Sequence, residues 1–155
     1  MYRITAFKDM RRIDEIILHC SATERGKDFR VADIDRWHRA RGFRKVGYHY
    51  VIDIDGTVEA GRKESEIGAH CSGRNKHSIG ICYVGGLSLG LPTNTLHDNP
   101  SQLHKLCELL SYLMKKYSLG FDAIRCHNEF ANKACPCFHR DYIYKVLRPI
   151  IENCI

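Results

Sequence analysis

Short apolar runs and longer amphipathic stretches alternate along this chain. The short runs are rich in β-branched and aromatic residues, which is typical of strands. An Asp55-Gly56 pair lies between two such runs, and this dipeptide is a strong hairpin signal. Strands are therefore predicted at residues 16–20, 48–53, 57–60, 78–86 and 123–126.

Three stretches have apolar residues at helical spacing. Residues 31–41 predict a surface helix with Trp37 as its core anchor and Gly42 as its stop. Residues 101–117 give the strongest helical stripe in the chain. A third helix is predicted over residues 142–151, where Pro149 should distort or shorten it.

The boundaries of the strongest helix have their own signals. Ser101 is predicted as its N-cap and Gly120 as the residue that stops it. Residues 61–76 and 87–100 have no period and predict loops. The alternation predicts an α/β fold: a single domain, residues 1–155, with a central mixed sheet of about five strands flanked by about three helices.

Composition is that of an ordinary globular protein, with 44% hydrophobic and 27% charged residues. The net charge of +6 favours an anionic partner such as nucleic acid, an acidic membrane or a cell-wall polymer. No block of five or six like charges indicates a nucleic-acid tail, and no 18-residue apolar run indicates a membrane span. Residues 1–8 lack the apolar core of a secretory signal, so we expect a protein that is cytoplasmic as synthesised.

Eight cysteines occur in the chain, at positions 20, 71, 82, 107, 126, 135, 137 and 154. An even number permits a disulfide framework, but a chain of this length and apolar content does not need one. We predict that most of these thiols are free, as in a reducing compartment.

The candidate chemistry lies mainly between residues 125 and 138. His127, Lys133 and Cys135 occur within nine positions, and His19 follows another predicted strand. Imidazole and thiolate are preferred zinc ligands, and a set of two His and one Cys leaves a fourth position open, as in catalytic sites. A structural site using Cys135, Cys137 and two further cysteines is the alternative, although one intervening residue is tighter than the usual ligand gap.

Six segments occur in order along the chain: His19-Cys20-Ser21-Ala22-Thr23, Trp37-His38, Gly47-Tyr48-His49-Tyr50, Asp55 through Arg62, Ser78-Ile79-Gly80-Ile81 with Val84-Gly85-Gly86, and Lys133-Ala134-Cys135-Pro136. Together they resemble the zinc-dependent N-acetylmuramoyl-L-alanine amidases of the Amidase_2 type. The likeness is strongest to the amidase-type lysozymes of T-odd phages, and peptidoglycan recognition proteins are more distant. It covers residues 14 to 138.

The resemblance implies a role for each matching residue. It implies that His19, His127 and Cys135 bind Zn²⁺ and that Tyr48 and Lys133 are catalytic. The implied reaction is hydrolysis of the amide between N-acetylmuramic acid and L-alanine in peptidoglycan. The general base remains open.

The resemblance also places His70 and Asn75 beside the substrate groove, so we predict that they bind substrate, with a purely structural role as the alternative. Peptidoglycan is the expected partner, without nucleic acid, and a monomer is expected. Cys137 departs from the phage enzymes, which tend to have a non-thiol residue there, so it could compete for zinc or oxidise with Cys135.

Two other functions remain alternatives to hydrolysis. One is a peptidoglycan receptor without activity, although such relatives lose the Cys ligand and this chain keeps Cys135. The other is binding and regulation of an RNA polymerase, on which the composition is silent.

Overall fold

A computed structural model describes residues 11–154. Residues 1–8, from which we predict that a signal peptide is absent, lie outside the described residues. Five strands form a mixed sheet: β1 (Glu15–Cys20), β3 (Tyr50–Ile52), β4 (Val58–Ala60), β5 (Ser78–Tyr83) and β8 (Ile124–Cys126). Their order across the sheet is β4-β3-β5-β1-β8. The predicted fold class and strand number are confirmed.

Strand β1 lies in the interior of the sheet and is parallel to both of its neighbours, β5 and β8. All six of its residues are buried, which explains why it appears in the sequence as a continuous apolar run. The only antiparallel pair of this sheet in the described residues is β3 with β4, joined through the predicted turn at Asp55-Gly56.

A second sheet of three short strands contains β2 (Thr23–Glu24), β6 (Gly86–Ser88) and β7 (Leu91–Pro92). Residues 87–100 are therefore not wholly irregular, contrary to the prediction. Strands β5 and β6 are also separate elements, because the chain leaves the main sheet at Val84-Gly85.

Helices cover both faces of the main sheet. Helix α1 (Val31–Ala40) packs Ile34 against Val51, Cys82 and Val84 on one face. Trp37 is only half-buried against Phe29, so Ile34 rather than Trp37 is the anchor of α1 in the core.

The opposite face is covered by helix α2 (Pro100–Tyr117) and a terminal helix, α3. The Leu stripe of α2 lies in this larger core, as predicted. Helix α3 consists of α-helical Arg140–Tyr142, a π-helical segment Ile143–Leu147 and α-helical Arg148–Glu152. The predicted distortion is present immediately before Pro149, whose ring cannot fit a regular α-turn.

The ends of α2 differ from the prediction. Asn99, not Ser101, is the N-cap: its side-chain oxygen accepts from the Gln102 backbone N–H at 3.1 Å. At the other end Ser118 takes a left-handed conformation (φ 57°) and stops the helix two residues before Gly120. Each helix in the described residues is too short or too polar to cross a bilayer.

Candidate functional site

Two parallel strands end side by side at one edge of the main sheet. His19 lies near the end of β1, and His127 follows directly after β8. Because the carboxyl ends of parallel neighbours meet at the same edge, both imidazoles enter one cleft. Cys135 reaches the same place on the loop that follows.

His19, His127 and Cys135 form a compact set of ligand atoms, all within 4.8 Å of one another. The two Nδ1 atoms of the histidines are 3.2 Å apart, and Cys135 Sγ is 3.8 Å from His19 Nδ1. Zinc bond lengths and tetrahedral angles imply separations of about 3.3 Å between two nitrogens and about 3.6 Å between nitrogen and sulfur. The chemistry and spacing of these donors therefore fit zinc.

The Cys135 sulfur also accepts a backbone hydrogen bond. The N–H of Cys20 lies 3.2 Å from it. A donor of this kind stabilises a thiolate, the form in which cysteine binds metals.

His19 is held from behind by a second histidine. Its Nε2 is 2.9 Å from His70 Nδ1, and His70 Nε2 is 3.3 Å from the Ser78 hydroxyl. Burial, reinforced by His70 and His127, lowers the pKa of His19 well below its ordinary value. The ring is consequently neutral, as a metal ligand must be.

Gly80 makes room for this arrangement on the neighbouring strand. A β-carbon there would lie 2.6 Å from the ring of His70. The His19–His70 contact could not be read from the sequence, because His70 lies in an aperiodic loop that only the fold brings to the strand end.

Tyr48 lies beside His19, with ring centroids 5.0 Å apart. Burial, reinforced by the thiols of Cys82 and Cys135, raises the pKa of Tyr48 well above its ordinary value. The side chain is therefore a phenol that can donate a hydrogen bond at neutral pH.

An open cavity of about 370 Å³ lies in front of these residues, and Tyr48, His127 and Lys133 are all in its wall. Lys133 is exposed there. Burial and the nearby Lys133 charge lower the pKa of His127, which favours the neutral imidazole.

The cavity wall also includes His70 and Asn75. The Asn75 side-chain oxygen accepts from the backbone N–H groups of His70 and Cys71, both at 2.9 Å. Asn75 thus shapes the loop that presents His70, and contact of either residue with substrate stays a prediction.

Sequence reasoning missed part of the cavity wall. Arg41, Phe43 and Phe130 line it, with the Arg41 guanidinium 5.2 Å from the centre of the Phe43 ring. Arg41 and Phe43 lie in the loop after α1, and Phe130 lies in the turn after β8; neither segment carries a motif that marks these residues in the sequence.

Glu129, two positions after the candidate ligand His127, has a carboxylate that is already hydrogen-bonded within its own turn. It accepts from Arg125 Nε at 2.8 Å and from the Cys126 backbone N–H at 2.7 Å. These contacts close the turn after β8 and give Glu129 a structural role.

Comparisons with known proteins agree with this geometry. The family model described as N-acetylmuramoyl-L-alanine amidase (Amidase_2) matches residues 9–138. The chain is 42% identical over 132 residues to the endolysin of Escherichia phage T7 and 41% identical to that of Enterobacteria phage T3, covering 85% of each chain.

Among solved structures, the chain is similar to the N-acetylmuramoyl-L-alanine amidase LysC from Clostridium intestinale. The TM-score is 0.74 at 28% identity, over 89% of this chain and 87% of that one. Sequence, fold and a set of donors at one sheet edge thus agree: the chain belongs to the N-acetylmuramoyl-L-alanine amidase (Amidase_2) family and is a peptidoglycan hydrolase of that family.

Proposed function

We propose that this amidase is zinc-dependent, that His19, His127 and Cys135 hold the ion, and that Tyr48 and Lys133 are catalytic. The observation that carries the proposal is the close approach of three donor atoms, within 4.8 Å of one another, with one of the three residues, His127, in the wall of an open cavity. The bond cleaved is the amide between the lactyl group of N-acetylmuramic acid and L-alanine.

The three residues would leave one position of a tetrahedral ion open. Zinc bound there would polarise the scissile carbonyl and make water a usable nucleophile at neutral pH. The protein keeps both histidines neutral by burial, so that each can offer a lone pair.

Lys133 would stabilise the negative charge that develops on the carbonyl oxygen. Its ammonium group lies on the cavity wall, close enough to His127 to lower the pKa of that residue. A fixed positive charge at a developing oxyanion acts mainly on the transition state, so its effect falls on kcat.

Tyr48 would donate a hydrogen bond from its protonated phenol to an oxygen of the reacting amide or water. Its raised pKa keeps that proton in place at neutral pH. We propose Tyr48 as a positioned hydrogen-bond donor. Glu129 is not proposed as the general base, because its carboxylate already accepts hydrogen bonds from Arg125 and the Cys126 backbone N–H.

His70 and Asn75 are proposed to contact the sugar or peptide from the cavity wall. The net charge of +6 favours an anionic wall polymer over a neutral one. We further propose that the chain is a single amidase domain that acts as a monomer. It is made in the cytoplasm and reaches the wall at lysis, by holin release or by non-classical export.

Metal analysis combined with digestion of defined muropeptides tests this proposal. The purified protein should contain one zinc per chain and generate new L-alanine amino termini. Cys135→Ser should lose the zinc and reduce the digestion to background, because serine is a poor zinc ligand. Binding to insoluble peptidoglycan should remain.

Cys154→Ser is the matched control, since Cys154 is a half-buried thiol in the turn after α3 and is not one of the three grouped donors. It should keep both zinc and activity. Zinc and full activity retained by Cys135→Ser would contradict the ligand assignment, and an active wild type free of metal would contradict the zinc dependence.

A further inference from the structure

Two thiols that the proposed metal site does not use lie against each other. Cys20 is the last residue of β1, and Cys137 lies two residues after Cys135 in the same loop. Their Sγ atoms are 3.8 Å apart. Both belong to the cysteines that are free in this structure.

Gly86 provides the space that this pair occupies. A β-carbon at Gly86 would lie 2.6 Å from the Cys20 sulfur and 3.6 Å from the Cys137 sulfur. The Cys137 thiol also donates to the Gly86 carbonyl oxygen at 3.2 Å. The absence of a side chain at Gly86, the first residue of β6, therefore leaves the space that the two sulfurs occupy.

Cys137 adopts an unusual backbone conformation in order to reach this pocket. Its φ angle is 71°, in the left-handed region that residues with a β-carbon rarely occupy. Its N–H donates to the Ala134 carbonyl at 2.7 Å, which closes the turn. A non-glycine residue in this conformation carries backbone strain, and such strain is typical of functional positions.

Cys135 is directed to other partners. Its sulfur faces His19 Nδ1 and the Cys20 N–H, whereas Cys137 faces the Gly86 carbonyl and the Cys20 thiol. Between them, the Pro136 carbonyl accepts from the buried Tyr83 hydroxyl at 2.6 Å, which fixes the loop.

We propose that Cys20 and Cys137 form a disulfide when the protein meets a disulfide oxidant, leaving Cys135 as a thiol or thiolate. A disulfide has an S–S length of about 2.0 Å, so the two sulfurs must approach by about 1.8 Å. The partner of Cys137 is thus Cys20, and not the Cys135 partner that the sequence alone allowed.

Glutathione disulfide is sufficient as the oxidant. The half-exposed Cys137, as thiolate, attacks one glutathione sulfur and releases the first glutathione thiolate. Cys20, as thiolate, then attacks the Cys137 sulfur and releases the second. One protein S–S bond forms, one glutathione S–S bond breaks, and the two protein thiol protons end on two molecules of glutathione.

The test is incubation of the full-length zinc-loaded protein with glutathione disulfide, followed by intact mass and non-reducing peptide mapping. Contact with Cys20 and burial raise the pKa of the Cys137 thiol, so the incubation is run at about pH 8.5 to speed exchange. We expect a mass loss of two hydrogen atoms, six titratable thiols in place of eight, and one cross-linked peptide pair containing Cys20 and Cys137.

Cys137→Ser and Cys20→Ser should each abolish the mass loss, and Cys154→Ser should keep it. If Cys20→Ser fails to fold, Cys137→Ser and the wild-type peptide map still decide the matter. The same bond is expected without added zinc, so this result is independent of the zinc proposal.

Three outcomes would overturn the inference. They are eight persistent thiols, a stable glutathione adduct on Cys137 without a second exchange, and a cross-link that includes Cys135.

Discussion

The hydrogen bond behind His19 leads to a quantitative prediction about zinc affinity. For His19 to offer Nδ1 to the metal, its proton must be on Nε2, which lies 2.9 Å from His70 Nδ1. Burial lowers the pKa of His70 to about 3, so that ring stays neutral and can accept. His70→Leu removes the acceptor.

The magnitude follows from burial. His19 is only 1% exposed, so water has little access to its orphaned N–H. An unsatisfied buried donor costs about 1–3 kcal/mol, and about 1.4 kcal/mol corresponds to a tenfold change in affinity. We therefore expect the affinity for zinc to fall by about 5- to 150-fold. Losses of this size are usual when the hydrogen-bond partner of a metal-binding histidine is removed.

Competition against a chromophoric chelator measures the affinity directly. Thermal unfolding of the metal-free proteins separates loss of packing from loss of the hydrogen bond. His70→Asn should regain much of the affinity, because its side-chain oxygen can take the place of Nδ1. His104→Leu, an exposed histidine on α2, should bind zinc like the wild type.

Unchanged affinity in His70→Leu would refute the reasoning. So would equal losses in the Leu and Asn variants with metal-free stability unaltered, since an acceptor would then make no difference.

Two further predictions concern stability. Burial, with the neighbouring Glu59 carboxyl, raises the pKa of Asp53 from 3.8 to about 7, so the folded state retains a proton that the unfolded state releases. The free energy of unfolding should then fall as pH rises from about 4 to about 7. In urea titrations, Asp53→Asn should make this dependence on pH weaker. A pH dependence equal to that of the wild type would contradict the assignment. The buried Gln102 amide donates to the Ile52 and Val84 carbonyls at 3.0 and 2.9 Å. Gln102→Leu should lower the free energy of unfolding by about 2–5 kcal/mol in the same assay, whereas a loss below about 0.5 kcal/mol would show that the two carbonyls find other partners.

The main elements could be predicted because their signals are local. The β1 run is apolar on both faces because β1 is an interior strand covered on both sides. The Leu stripe of α2 is periodic because one face packs on the sheet. The resemblance in ordered motifs indicated the family, which the comparisons confirm.

The N-cap of α2 shows where local signals fail. Both Asn99 and Ser101 are residue types that cap helices. Asn99 is selected because its amide also donates to the Ile54 carbonyl at 2.8 Å, a contact with the chain between β3 and β4. Pro100 at the first helical position was the local signal that could have identified it.

By itself, the sequence determined which residue types stand at the strand ends and in the loop after β8, and with them the candidate ligands His19, His127 and Cys135. Only the tertiary structure decided what lies behind those ligands. His70 contacts His19 from 51 positions away, and Cys137 contacts Cys20 from 117 positions away. Such contacts depend on how strand ends and loops pack within tenths of an ångström, and no local period or propensity encodes that.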